Sequence, residues 1–210
     1  MKKYISNTLW YIGKFWSYLY SYTFNKNVNR ISNKLYSAWI SREFKSFGYN
    51  SVITKEIHLI GGKYITIGNN SNIGIRAALT AWDKFELFTF CPEIIIGNNV
   101  SIGDDSHITA INRINIGNNV LTGKKVTITD NSHGRIDLES ILIAPLNRCW
   151  YSEGPVIIED NVWIGDKVTI LSNVRIGKNS VIGANAVVTK DIPANCVAGG
   201  IPAKVIRIIS

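Results

Sequence analysis

Three histidines, at positions 58, 107 and 133, are the side chains here whose ordinary pKa lies close to neutrality. An imidazole of that kind can take a proton from an alcohol while the freed oxygen attacks an acyl carbon. His133 is the strongest candidate for such work. It closes Ile128-Thr129-Asp130-Asn131-Ser132-His133 at the head of a long irregular stretch, with Asp130 and Asn131 nearby to hold one tautomer. His107 closes Ile102-Gly103-Asp104-Asp105-Ser106-His107 in the same manner. His58, in Ile57-His58-Leu59-Ile60-Gly61-Gly62, reads as an outward residue of an alternating segment. Three histidines also raise the question of a metal. Spacings of 49 residues (58 to 107) and 26 residues (107 to 133) lack the close pair that a shared ion would favour.

The elements that must position these groups are written in a repeat of six residues. Ile164-Gly165-Asp166-Lys167-Val168-Thr169 is followed by hexads opening at Ile170, Ile176 and Ile182. Upstream, Ile67, Ile73 and Leu79 open one set, Ile96, Ile102 and Ile108 a second, and Ile116, Thr122 and Ile128 a third. Ile158, Ile164 and Ile170, then Ile176, Ile182 and Val188, complete the series. One large aliphatic residue in six fits neither a helix nor a hairpin sheet. It fits a chain wound into a triangular prism, each aliphatic stacking on its equivalent one coil away. Corner phrases such as Gly-Asn-Asn and Gly-Lys-Asn supply residues that tolerate the left-handed backbone region. Three interruptions are evident: Trp82 to Glu93, a coil near Arg113 about two residues too long, and Gly134 to Pro155. A solenoid expels such insertions at corners, as loops able to carry function. A residue closing a hexad is then expected at a corner. This register puts His107 and His133 on different edges, meeting only across a subunit boundary.

Composition separates two parts, a basic aromatic segment over 1–55 and a repeat domain over 56–210 with loops near 82–93 and 134–155. Residues 1–63 hold ten Lys or Arg against Glu43 and Glu56, which accounts for the whole net charge of +8. The first 50 residues hold fourteen of the 22 aromatics. No groove-reading motif accompanies the charge, so nucleic acid is not expected as a partner. The run from Leu9 to Phe24 is too short and polar to span a bilayer, and no small-residue cleavage site follows it. One reading makes this segment a helical cap on the open end of the prism, with Ile31, Leu35, Ala38 and Trp39 at helical spacing. In the other, Lys2, Lys3 and Lys14 with Trp10, Phe15, Trp16 and Tyr20 let residues 1–25 rest on an anionic membrane surface. Cys91, Cys149 and Cys196 show no paired spacing, which suits a reducing cytoplasm, at the inner face of the cytoplasmic membrane if the second reading holds.

The hexads resemble the bacterial hexapeptide-repeat acyltransferase family. That resemblance implies an all-β, left-handed parallel β-helix preceded by a short, mostly helical segment. Asp130-Asn131-Ser132-His133-Gly134, a loop, and then Gly154-Pro155-Val156 to Gly165 are similar to the sugar O-acetyltransferases of the family. There the histidine before the loop is the general base, which His133 would become. His107, Asn131 and Asp130 would line the acceptor site. The C-terminal phrases Val187 to Asn195 and Gly199 to Arg207 resemble the end of the family that binds acetyl-coenzyme A. By the same resemblance Trp163, Asp166 and Ala184 would border the donor, Thr189 and Lys190 would meet its pantetheine and nucleotide portions, and Lys204 and Arg207 its phosphates. Lys204 stands where an arginine is common in the family. The implied protein is an acetyl-coenzyme A-dependent O-acetyltransferase, metal-free and homotrimeric, acting on a sugar hydroxyl of a capsule, lipopolysaccharide or exopolysaccharide. Competing readings are an N-acetyltransferase on an amino sugar, a zinc-dependent carbonic anhydrase-like trimer and a non-enzymatic solenoid.

Overall fold

The computed structural model describes residues 2–209, with side chains from Ile5 onward, so the side chains of Lys2 and Lys3 lie outside the described residues. Two helices open it, α1 (Lys2–Leu19) and α2 (Tyr22–Ile40), the second started by Ser21, whose hydroxyl accepts the Phe24 N–H at 3.1 Å. From there the chain winds as a left-handed parallel β-helix with three faces. The first face runs Ser46–Phe47, Ile65–Ile67, Glu93–Ile96, Arg113–Ile116, Val156–Ile158 and Val174–Ile176. The second begins at Val52–Ile53 and ends at Cys196–Gly199, against which Lys204–Ile208 folds back antiparallel. The third holds His58–Ile60, Ala78–Ala81, His107–Ala110, Thr127–Thr129, Thr169–Ile170 and Val187–Val188.

The six-residue spacing becomes three inward columns. Ile67, Ile96, Ile116, Ile158 and Ile176 pair in register on the first face. Leu79, Ile108, Ile128, Ile170 and Val188 do so on the third. All of these side chains are buried, each contributing roughly 1.5–3 kcal/mol of apolar burial. Thr122 is the polar intruder in the second column, and it is satisfied: its Oγ1 accepts the Gly103 N–H at 2.9 Å and donates to the Gly123 carbonyl at 3.1 Å. At one corner Asn99, Asn119, Asn161, Asn179 and Asn195 all hold φ between 55 and 59°. Their carboxamides form a ladder of side-chain hydrogen bonds 2.7–3.1 Å long from Asn99 to Asn195. Asn suits both demands, tolerating the left-handed region and stacking on copies of itself.

Two sequence expectations are corrected. The winding begins ten residues earlier than position 56, because Ser46–Phe47 pairs with Thr66–Ile67 and Val52–Ile53 with Asn72–Ile73. Gly48-Tyr49-Asn50-Ser51 is a corner like those downstream, disguised by Phe47 in the aliphatic position. The cap residues are also different. Ile31, Leu35 and Trp39 face solvent, 62, 68 and 71% exposed. The helix covers the first coil through its other side instead: Ser37 Oγ accepts the Ile53 N–H at 2.8 Å and donates to Asn33 O at 2.6 Å, beside buried Ile40. That satisfies the edge of the first second-face strand.

Candidate active site

The outward residues of the third face carry the candidate chemistry. Strand alternation sends Leu79, Ile108 and Ile128 inward and Ala78, Thr80, His107 and Thr109 outward. His58 and His107 both pair with Ala78, so the two imidazoles stand two strands apart on one flat face. Chain departing this face at Ser132 makes a two-way backbone bridge with Tyr151, at 2.9 and 3.0 Å, and Gly134 turns it with φ 86°. The fold-back lays His133 over the same face. His58, His107 and His133 therefore border a single cleft of about 450 Å³ within one protomer. The expectation that His107 and His133 sit on different edges is wrong. His107 opens a strand and points off a face; it does not turn a corner.

Both insertions build the walls. Residues 82–93 leave the third face just after Ala81 and form a hairpin, Lys84–Phe85 against Phe88–Thr89. The loop after Ser132 leaves the same side two coils on and brings back Trp150. Trp150 stacks on Phe85 at 4.2 Å and meets Trp82 edge-on at 5.2 Å. It also meets His133 edge-on at 5.7 Å. Trp82 and Trp150 thus flank the cleft, with Thr80, Thr109 and Asn131 on its floor and side.

Electrostatics and hydrogen bonding sort the polar groups. Burial, and secondarily His58, depress the His107 pKa below its usual 6.5, which favours a neutral ring although its edge reaches solvent. Thr80, only 2% exposed, has an Oγ1 without a protein partner, and so has the Trp150 Nε1. Leaving such groups unpaired costs on the order of 1–3 kcal/mol each, and both residues border the cleft, which suits a polar ligand. Asp130 does not line the cleft. It is 0% exposed, and its carboxylate accepts the Ile111 and Asn112 N–H groups at 2.9 and 3.0 Å, holding the overlong corner noted near Arg113. Asn131 does line it, tied by its Nδ2 to Thr109 O and Asp130 Oδ1, each at 3.2 Å. No group of three His, Cys, Asp or Glu among the described residues is arranged to hold a metal ion.

The residues assigned to the donor lie elsewhere. Trp163 is on the second face, Asp166 and Ala184 at corners one coil apart, Thr189 and Lys190 just past the last third-face strand, and Lys204 and Arg207 on the antiparallel return. All seven are exposed and none borders the histidine cleft of the same protomer. Asp166 has a structural task as well, accepting the Lys124 N–H at 2.8 Å. Thr80, Trp82 and Phe85 were not singled out from sequence. The available signal was positional: both insertions leave the same face at its downstream end.

The left-handed β-helix carries its imidazole cleft between two insertions, and similarity to named acyltransferases gives that arrangement its chemical class. The family described as bacterial transferase hexapeptide (six repeats) matches residues 155–190. A protein of Escherichia coli K12 named for O-acetyl transfer in lipopolysaccharide biosynthesis is 36% identical over 147 residues, covering 68% of this chain and 71% of its own. The crystal structure of a maltose O-acetyltransferase from Clostridium difficile 630 superposes with a TM-score of 0.59 at 30% identity, over 88% of this chain and 84% of that one. An N-acyltransferase of Bacillus cereus, AntD, crystallised with dTDP-4-amino-4,6-dideoxyglucose and coenzyme A, shares the fold at a TM-score of 0.66. Its identity is 18%, over 83% of this chain and 89% of its own. The chain belongs to the bacterial hexapeptide-repeat transferases.

Proposed function

We infer that the protein moves an acetyl group from acetyl-coenzyme A to a hydroxyl of a sugar in a capsule, lipopolysaccharide or exopolysaccharide. The observation that carries this reading is the cleft itself: an imidazole beside two unpaired buried donors and an aromatic wall suits a polyhydroxylated ring. His133 takes the hydroxyl proton as the oxygen bonds to the thioester carbon. The tetrahedral oxyanion collapses, the carbon–sulfur bond breaks, and the imidazolium returns its proton to the departing thiolate. Neutral His107 and Asn131 hold the acceptor. The donor lies along Trp163, Asp166, Ala184, Thr189 and Lys190 with its phosphates near Lys204 and Arg207. Those residues being remote from the cleft of their own protomer supports a homotrimer in which one subunit supplies the base and its neighbour the donor groove.

Incubating the purified protein with acetyl-coenzyme A and a panel of glycans, then locating any new acetyl by mass spectrometry, tests the reading. An ester on a sugar hydroxyl is expected. Acetylation of amino sugars alone would move the protein to the N-acetyl class. Trp150→Ala should lower acceptor kcat/KM about tenfold, the loss of one well-placed aromatic contact, and leave the acetyl-coenzyme A KM within about twofold. Equal loss for both substrates would show that Trp150 supports the fold and not the acceptor.

Residues 1–25 are proposed to rest on the inner face of the cytoplasmic membrane. Supporting this, Ile5, Leu9, Ile12, Phe15, Trp16 and Leu19 form one exposed apolar face of α1, with Lys14 on the other. No helix among the described residues is long and apolar enough to cross a membrane.

A further inference from the structure

We propose that the cleft beneath α2, on the second face of the first coils, is a binding site for a diphosphate group. It is separate from the histidine cleft on the third face and does not depend on acetyl transfer. α2 is amphipathic in an inverted sense. A helix covering a solenoid end normally turns its apolar stripe inward. Here Phe24, Val28, Ile31, Leu35 and Trp39 face outward. Lys26, Arg30 and Lys34, four residues apart, line a cleft of about 710 Å³ against Asn50, Thr54 and Asn72.

That arrangement lacks a neutralising partner. Like charges at i and i+4 on a helix repel. None of the three cations has an ion pair among the described residues, whereas Lys45, Lys63, Arg76, Lys124 and Arg175 each have one. No carboxylate lines the cleft, and none occurs before Glu43. Apart from Val52, the neutral lining is Asn and Thr, whose amides and hydroxyls donate to phosphate oxygens. Three cations over eight residues span about 12 Å of helix. Three cations with no carboxylate among them exceed what a single phosphate dianion neutralises and match the two to three negative charges of a diphosphate. Arg30 at the centre can grip bidentately. Lys34 also borders a neighbouring cleft of about 560 Å³ that contains Arg42, which extends the positive track.

A soluble nucleoside diphosphate and a lipid-carried diphosphate share this chemistry, and the experiment separates them. Inorganic pyrophosphate is titrated calorimetrically into the full-length protein at low salt. Three forms are compared: wild type, K26Q/R30Q/K34Q and K190Q/R207Q. Wild type should show a pyrophosphate site at least about tenfold tighter than for sulfate. That site should weaken about tenfold or more in the K26Q/R30Q/K34Q triple variant and persist in the donor-side double variant, whose substitutions remove only pyrophosphate held in the donor groove. Melting temperature checks the fold: without ligand it should match in wild type and the triple variant, and pyrophosphate should raise it more in wild type. Unchanged affinity in the triple variant, or pyrophosphate no tighter than sulfate, overturns the proposal. Loss only in K190Q/R207Q overturns it too, assigning the anion to the donor groove. Uridine diphosphate and a short prenyl diphosphate are then compared. Whichever exceeds pyrophosphate identifies the source, and weaker binding of both than of sulfate also refutes the assignment.

Discussion

His133→Ala is expected to slow acetyl transfer by about 100- to 10,000-fold, the usual contribution of a positioned general base, with no loss of thermal stability. The stability half follows from the surroundings. His133 is exposed, makes no hydrogen bond among the described residues, and touches Trp150 only edge-on. Its removal leaves no buried group unpaired. The activity half follows from the cleft, which His133 overhangs while the third-face strands supply the floor. Residual turnover should persist, because positioning of donor and acceptor does not need the imidazole. The informative comparison is His107→Ala. Both rings border one cleft, so either is close enough to be the base. Steady-state kinetics on both variants decides the roles. If His107→Ala costs more in kcat than His133→Ala, the roles are exchanged, and the loop histidine becomes an acceptor contact. His107 is suited to the acceptor role, since burial keeps its ring neutral and able to donate from one nitrogen and accept at the other.

The columns of the prism were readable because each coil repeats one decision: a large aliphatic every sixth position, with Gly or Asn at the turn. Ile67 to Ile176 and Leu79 to Val188 keep a large aliphatic residue in every coil in spite of the three interruptions, and their register in the fold is the register of the hexads. Phe47 breaks it, and the first coil was missed for that reason. Periodicity likewise found the stripe at Ile31, Leu35 and Trp39 but not its direction. A spacing of three and four defines a face without naming its neighbour. The cleft was partly legible. His133 and Asn131 could be singled out by their place before the loop. Trp150 against Phe85 could not, because those residues are far apart in the chain and meet only once both insertions are known to leave one face. Asp130 looks in sequence like a tautomer-setting neighbour of His133, because short polar residues before a loop look alike whether they point out or in. Its inward direction depends on a two-residue excess in the preceding coil, which demands a buried acceptor.

That demand makes Asp130→Ala the largest stability loss expected at a polar position of the repeat domain. The Ile111 and Asn112 N–H groups would lose their acceptor at a corner where Ile111 is buried. Two unpaired amides cost about 2–4 kcal/mol together, or roughly 5–15 °C in Tm for a chain of this size. Asp130→Asn should recover part of this, because one carboxamide oxygen can still accept while the amide nitrogen opposes the second N–H. The dependence on pH has a definite sign. Desolvation raises the Asp130 pKa from 3.8 in spite of the hydrogen bonds to Ile111, Asn131 and Asn112. The folded state therefore binds this proton more readily than the unfolded chain. The group's contribution is complete below 3.8 and declines as pH rises through the higher folded value. Comparison with Asp130→Ala cancels the other carboxylates, whose lowered values work in the opposite direction, as for Asp105 and Glu159. Thermal melts of both proteins across the acid range should show the gap widening as pH falls. A gap that closes instead would mean that the charged carboxylate, and not its protonated form, is what the corner prefers. The acceptor should register the change too. Asn131 borders the cleft while bonded to Asp130, so acceptor KM should rise in Asp130→Ala before the corner melts, coupling a buried carboxyl to sugar binding one residue away.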